Sequence, residues 1–390
     1  MFVDPGLLLL IPFGLNNHEC VNHKFSLNAN VSEAFSKFFS EKFNNVRTTL
    51  KRINQASNTI DQLYRDKPFA GLLLAEFPSA TIDEVEAIIR RSSSKSCDLD
   101  PLPTALLKLC LPELSATLLS IINHSLDIGV VPSHFKNARV TPVRKSRATS
   151  SDDVSNYRPI SQLPFISKVL ERVVSNRIRP HLEEYHLFDK YQSAYREAHS
   201  TETALLRLRV HHDITSALDK GSTVAVVMLD QSAAFDVIDH DILLQRLEFA
   251  FGISGRALKW FGSYLQDRSQ CVCVRKDVSK TLPVVCGVPQ GSVLGPLLYT
   301  VYTKSIGEIC QRHNVLYHCY ADDIQLYYAV EGSEDLAEKL SSINECIDGL
   351  KSWMGWNMLK LNSEKTEFIL LRKSLLVAIR HHHCLGTCET

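Results

Sequence analysis

The apolar positions change rhythm along the chain. From residue 26 to 65 they recur at helical spacing, with Phe35, Phe38, Phe39 and Phe43 in one stretch, which predicts a packing helix. "TIDEVEAIIRRS" keeps that period and starts like a capped helix, with Thr81 three residues ahead of Glu84. From Lys95 to Lys145 the pattern gives a turn, two helices and a strand around Ala138–Val143, and a polar loop then ends in a basic strand at "NYRPIS". "FISKVLERVVSNRIRPHLEEY" and "STETALLRLRVHHDITSAL" read as amphipathic helices, the second with Ser200 or Thr201 as its N-cap. At "STVAVVMLD" the rhythm becomes a nearly continuous apolar strand ending at Asp230, as buried strands do. Two helices follow, then a hairpin around Lys276–Lys280 and the glycine-marked loop "GVPQGS" running into a helix. Two strands rich in β-branched and aromatic residues flank Asp322 and Asp323. A helix from "SEDLAEKL" and the segment "LKLNSEKTEFILL" come next, and after Leu371 the periodicity is lost. Helices and strands are intermixed and hairpins are present, so the expected class is α+β rather than a doubly wound parallel sheet.

Composition adds little to this until it is read locally. The 390 residues allow two or three domains, and 45% hydrophobic with 22% charged residues is ordinary for a globular protein, so no fibrous or disordered class is implied. Net charge is zero, yet Lys136 to Arg209 holds 14 Lys/Arg against 8 Asp/Glu. A basic segment beside an acidic remainder suits a protein that grips phosphates in one place and metal ions in another. The eleven cysteines are scattered with no CxxC pair, which predicts reduced thiols in an intracellular compartment. The apolar run from Leu7 is too short to span a bilayer, lacks a basic leader and is broken by Pro12 and Gly14, so neither membrane nor secretion is expected.

The chemistry begins with an oddity: two adjacent aspartates, Asp322 and Asp323, at the join of two buried-looking strands, where they repel and resist desolvation. If the strand ending at Asp230 lies beside them, three carboxylates converge. Hard oxygen ligands without Cys or His point to Mg²⁺ or Mn²⁺ rather than zinc. Two such ions about 3.5–4 Å apart clamp the attacking and leaving oxygens of an in-line phosphoryl displacement and neutralise the acids. On its own, the short "ADD" reads more simply as a solvated turn.

Six ordered blocks settle the choice: "NYRPISQLPFISKVLERVV", "YQSAYREAHSTETALLRL", "LDQSAAFDVIDHDIL", "GVPQGSVLGPLLY", "CYADDIQLYY" and "LKLNSEKTEFILL". Together, from about Lys95 to Leu371, they closely resemble reverse transcriptases of non-LTR (LINE-type) retrotransposons, especially the jockey-like groups. The resemblance implies a right-hand polymerase fold with fingers and palm. It implies an RNA-directed DNA polymerase that uses two Mg²⁺ (or Mn²⁺) ions, a dNTP, an RNA template and a DNA primer or target DNA, with nuclear action by target-primed insertion. Asp230 and Asp322 match the metal-binding pair, and Asp323 the second acid of the YxDD box. Phe235 matches the steric gate under the incoming sugar; without the resemblance it reads as a core aromatic. Asp236 is expected to cap the following helix. Gln290 and Gly291, in "GVPQGS", match the loop that backs the nascent base pair, the glutamine touching template. Lys145 and Arg158 match the basic residues that hold the triphosphate, and Arg196 the arginine of the usual "QSGFR" box, here "QSAYR" with Ala194 and Tyr195 as departures. Lys365 matches the lysine proposed as general acid to pyrophosphate; its plain alternative is a surface lysine in a turn.

The resemblance divides the chain into a linker-like helical extension over 1–94, a fingers-rich part over 95–220, a palm over 221–371 and a tail over 372–390 that leaves the thumb truncated. The endonuclease of full elements is expected to be absent. "HHHCLGTC" lacks the spacing of a zinc knuckle. Two other readings remain: an RNA-dependent RNA polymerase, opposed by Phe235, by Ala321 ahead of the aspartates and by "PQGS", and a decayed or co-opted fragment acting at most as a nucleic-acid-binding module.

Overall fold

The computed structural model describes residues 30–56, 66–146, 149–195, 209–330, 336–362, 365–372 and 375–380. The helices are α1 (Val31–Ala56), α2 (Ile82–Arg91), α3 (Thr104–Leu109), α4 (Leu111–Ile128), α5 (Phe165–Glu184), α6 (Arg209–Asp219), α7 (His240–Phe249), α8 (Gly255–Leu265), α9 (Gly295–Tyr302), α10 (Ser305–Arg312) and α11 (Leu336–Trp356). The strands are β1 (Asn137–Arg144), β2 (Tyr157–Gln162), β3 (Thr223–Leu229), β4 (Arg268–Val274), β5 (Asp277–Val278), β6 (Leu282–Val284), β7 (Leu316–Tyr320), β8 (Asp323–Val330), β9 (Glu367–Arg372) and β10 (Leu375–Arg380). This is the mixed helix-and-sheet class that the pattern predicts.

Two five-stranded sheets organise the chain. The first runs β2-β1-β4-β5 with β6 also on β4, and β1 is antiparallel to β2 but parallel to β4. The second runs β10-β9-β3-β8-β7, every neighbouring pair antiparallel. The apolar run of β3 follows from its central place there. Ala225, Val227 and Leu229 face the main core, while Val224 and Val226 pack with Ala217 and Tyr327 on the other side, so both faces are covered.

Local chemistry explains the element ends. The Thr81 hydroxyl accepts from Glu84 N at 3.2 Å and caps α2. The Glu84 carboxylate also takes two hydrogen bonds from Arg177, at 2.6 and 2.9 Å, which pin α2 to α5. Helix α1 sends Phe35 and Phe39 into a small core with Val140, Tyr157 and Val272 on the first sheet. In the main core Trp260 and Tyr264 of α8 stack with centroids 5.5 Å apart. Glu171 of α5 is 1% exposed, and it accepts from Val293 N, Leu294 N and the Tyr264 hydroxyl at 2.8, 3.0 and 3.3 Å. Burial raises its carboxyl against those bonds. The carboxylate ties the start of α9, and the loop before it, to the helical core.

Two elements differ from the pattern. The hairpin is tighter than Lys276–Lys280: Val274 pairs with Asp277, so only Arg275 and Lys276 turn, Arg275 with φ 58°. Residues 375–380, where periodicity is lost, form β10 on β9. The run "LLVAI" lacks alternation, and pairing to β9 supplies the strand's hydrogen bonds without it. The β9–β10 hairpin thus crosses the boundary expected at residue 371. The N-cap at Ser200 or Thr201 and the His/Cys tail lie outside the described residues.

Candidate active site

Asp230 leaves the end of β3 and is held by a single short segment. Asn362 N donates to Asp230 O at 2.8 Å, and Asn362 Nδ2 to Asp230 Oδ2 at 3.1 Å. Lys365 Nζ also reaches Asp230 Oδ2, at 3.0 Å. The backbone is stitched on either side by Ser232 N to Lys360 O and by a bridge between Gln231 and Leu361. Lys365, read from the sequence as either a general acid or a surface lysine, is the counter-ion of Asp230 here.

Asp322 and Asp323 sit where the β7–β8 hairpin turns. Tyr320 pairs with Asp323, leaving Ala321 and Asp322 as the two turn residues. β3 and β8 pair up to Leu229–Ile324, so the next step along each strand sets Asp230 beside the pair. Loss of solvent raises the Asp322 carboxyl, and the charge of Asp230 adds to it. The same two causes, solvent loss first and then Asp322 with Asp230, push Asp323 up to about 6. Lys365 and Arg158 oppose both shifts.

The turn is strained and clamped. Ala321 takes φ 55°, the left-handed region that a side chain disfavours. The side chain of Gln192, buried at 5% exposure, holds it from both sides. Gln192 Oε1 accepts from Ala321 N at 3.1 Å and Nε2 donates to Ala321 O at 3.4 Å. The same Oε1 accepts from Ala194 N, and Ser193 N donates to Cys319 O, so Gln192 and Ser193 are laced to the β7–β8 hairpin. Ala194, where the usual box has glycine, does not take positive φ; its neighbour Tyr195 does, at 64°.

The cations approach from the first sheet. Lys145 follows β1, with N bonded to Asn156 O and Nζ to Ser155 O, both at 2.8 Å. Burial lowers its ammonium, and the charges of Lys42, Lys365 and Arg158 add to that. Arg158, opposite Val143 in the β1–β2 register, has an exposed side chain and acts through space on Asp322 and Asp323. Lys42, on α1, belongs to this positive group and was not singled out from the sequence. Arg196 lies outside the described residues.

Phe235 is half-buried, stacked on Tyr299 at 4.8 Å and met edge-on by Tyr195 at 6.1 Å. Asp236 is not the helix cap expected of it. Asp239 caps α7, accepting from Asp241 N and Ile242 N, because it alone directly precedes the helix. Asp236 instead takes the Gln290 amide on both carboxylate oxygens, at 2.8 and 2.9 Å. Burial pushes its carboxyl up to about 7, with the Gln290 bond pulling the other way. The rest of the loop is fitted as closely. Gly291, at φ 121°, would put a Cβ 2.5 Å from Ser161 O, and Ser161 N donates to Gln290 O at 2.7 Å. Gly287, at φ 82°, would put one 2.6 Å from Asp236 O. The loop is therefore wedged between β2 and the stretch after Phe235.

The arrangement is a set of carboxylate oxygens facing a set of cations. Among the described residues no group of three or more His, Cys, Asp and Glu side chains is arranged to hold a metal ion. Asp230, Asp322 and Asp323 are the hard-oxygen donors present, and Mg²⁺ is commonly held by one or two carboxylates with substrate phosphates completing its shell. In ligand chemistry, though not in their arrangement in this structure, these oxygens suit that ion. Asp230 Oδ2 is meanwhile paired with the ammonium of Lys365.

These features define a class. Residues 143–386, more than half of the chain, match the family model "Reverse transcriptase (RNA-dependent DNA polymerase)", and the chain belongs to that family. Among curated relatives, the probable RNA-directed DNA polymerase from transposon BS of Drosophila melanogaster is 33% identical over 291 residues, 72% of this chain and 31% of that protein. The RNA-directed DNA polymerase from mobile element jockey of the same species is 29% identical over 310 residues, 77% of this chain and 32% of that protein. The probable polymerase from transposon X-element covers 80% of this chain at 29% identity. The chain spans about a third of the length of these relatives. They are the non-LTR, jockey-like elements that the ordered blocks resemble.

Proposed function

We propose that the chain is an RNA-directed DNA polymerase module of a non-LTR retrotransposon, built as a right hand with the second sheet as palm and the first as fingers. The observation that carries this reading is the meeting of Asp230, just past β3, with Asp322 and Asp323 on the adjoining hairpin, under the charges of Arg158 and Lys365. In the reaction a primer 3′-oxygen bonds to the α-phosphorus of a dNTP and the bond to the bridging oxygen breaks, releasing pyrophosphate. Asp230, Asp322 and Asp323 would hold two Mg²⁺ or Mn²⁺ ions, which when bound ease deprotonation of the 3′-hydroxyl and stabilise charge on the leaving oxygens. Arg158 and Lys145 bind the triphosphate, Arg158 with its planar fork. Gln290 and Gly291 back the templating base. Phe235 blocks a 2′-hydroxyl. Lys365 leaves Asp230 to hand its proton to pyrophosphate. The partners are an RNA template and a DNA primer or target DNA, and the place of action is intracellular, in the nucleus and cytoplasm. No helix among the described residues is long and apolar enough to cross a membrane.

The test is primer extension on poly(rA)/oligo(dT) with Mg²⁺ or Mn²⁺, comparing wild type with Asp322→Ala. The expected result is extension by wild type and background only for the variant. No extension by a folded wild-type chain would move the reading to a nucleic-acid-binding module.

A further inference from the structure

The gate aromatic is not a lone ring. One face of Phe235 lies on Tyr299, which is fully buried and therefore fixed. Its other neighbour is Tyr195, whose ring stands perpendicular to it. Tyr195 is 36% exposed, so part of its ring is open to solvent. Its backbone is held in the left-handed region at φ 64°, a conformation that strains a non-glycine residue and persists only where its surroundings enforce it. Two bonds do so: Arg179 Nη2 donates to Tyr195 O at 3.2 Å, and Gln192 accepts from the preceding N–H. The phenol also senses the catalytic acids. Crowding by protein raises it well above its usual value, and the charge of Asp322 adds to that. An aromatic side chain is thus strained into place between the acids and the gate.

We propose that Tyr195 is a specificity-determining residue that forms the second wall of the sugar pocket, bracing Phe235 against Tyr299 and excluding ribonucleotides. The proposal rests on the reading of Phe235 as the gate. With Tyr299 immovable, a ribose 2′-hydroxyl can be admitted only if Phe235 leans toward Tyr195, and the perpendicular ring edge blocks that movement. Removing the ring opens that space, whereas phenylalanine keeps the edge and loses only the hydroxyl.

The experiment measures binding of dGTP and GTP to the full chain on an RNA template with a dideoxy-terminated DNA primer and Mg²⁺, so that no chemistry is required. The proteins are wild type, Tyr195→Ala, Tyr195→Phe and Phe235→Ala. Tyr195→Ala is expected to cut the preference for dGTP about tenfold, chiefly through tighter GTP binding, a size typical of small steric changes in a pocket. Tyr195→Phe is expected to keep the wild-type ratio. Tyr195→Leu replaces the alanine variant if that one does not fold, with a smaller loss expected in the same direction. An unchanged ratio in the truncated variants, with a collapsed ratio in Phe235→Ala, would overturn the proposal and leave the gate standing. An unchanged ratio in Phe235→Ala, or a wild type without preference, would overturn both.

Discussion

The two sheets hold their functional residues in opposite ways. In the second sheet the acids stand at the ends of β3 and β8, in the middle of five strands, and each is tied by several bonds: Asp230 by Asn362 and Lys365, the Asp322 turn by Gln192. In the first sheet the cations sit at the open end of the β1–β2 pair, Lys145 just past β1 and Arg158 exposed near the start of β2. Carboxylates that must share a site repel and lose solvent, so the fold has to force them together. The difference teaches that the acids depend on the folded core, while the cations stand where the proposed reaction would bring a triphosphate.

The largest expected effect is therefore a structural one on the acid side. Gln192→Leu leaves the N–H and C=O of Ala321 without their partner and should lower stability by about 3 kcal/mol, read by chemical denaturation, with primer extension falling alongside. Unchanged stability would mean that the strained turn holds itself. On the cation side, Arg158→Met and Lys145→Met should each raise the KM for dNTP about tenfold, equivalent to about 1.4 kcal/mol, while the melting temperature stays within about a degree. A large stability loss there would break the contrast between the sheets.

The smallest effect is a pH-dependent one. The folded value of Asp323 is about 6 against the usual 3.8, so between those values the native state binds more protons than the unfolded chain. Stability contributed at this site then falls as pH rises from about 4 to 6 and stays low above. Without divalent cation, Asp323→Asn should melt a few degrees above wild type at pH 7.5, and the gain should vanish near pH 4. A gain independent of pH would show that charge is not its cause.

What could be read from the chain divides along the same line. Asp230, Asp322 and Asp323 were legible because their strands carry a clear apolar pattern and the acids interrupt it. The loop at Gln290 and Gly291 was legible from its glycines, and the structure gives Gly291 the close backbone approach that glycine alone permits. The clamps were not legible. Gln192, Asn362 and the Asp236–Gln290 pair act through side-chain bonds between residues 54 to 132 positions apart, and no periodicity or spacing marks such pairs. Lys42 escaped notice because a charge on an amphipathic helix reads as solvated face, and only packing of α1 on the first sheet brings it to the other cations. The strand β10 escaped because its residues do not alternate.

The central claim is that Asp230 and the Asp322–Asp323 turn form one divalent-cation site. It is tested most directly by loading the chain with Fe²⁺ in place of Mg²⁺, adding ascorbate and peroxide, and mapping where the backbone is cut. Cuts beside residue 230 and beside residues 321–323, both lost in Asp322→Ala and both suppressed by excess Mg²⁺, are the predicted result. Cuts elsewhere, or cuts near one acid that persist without the other, would contradict it.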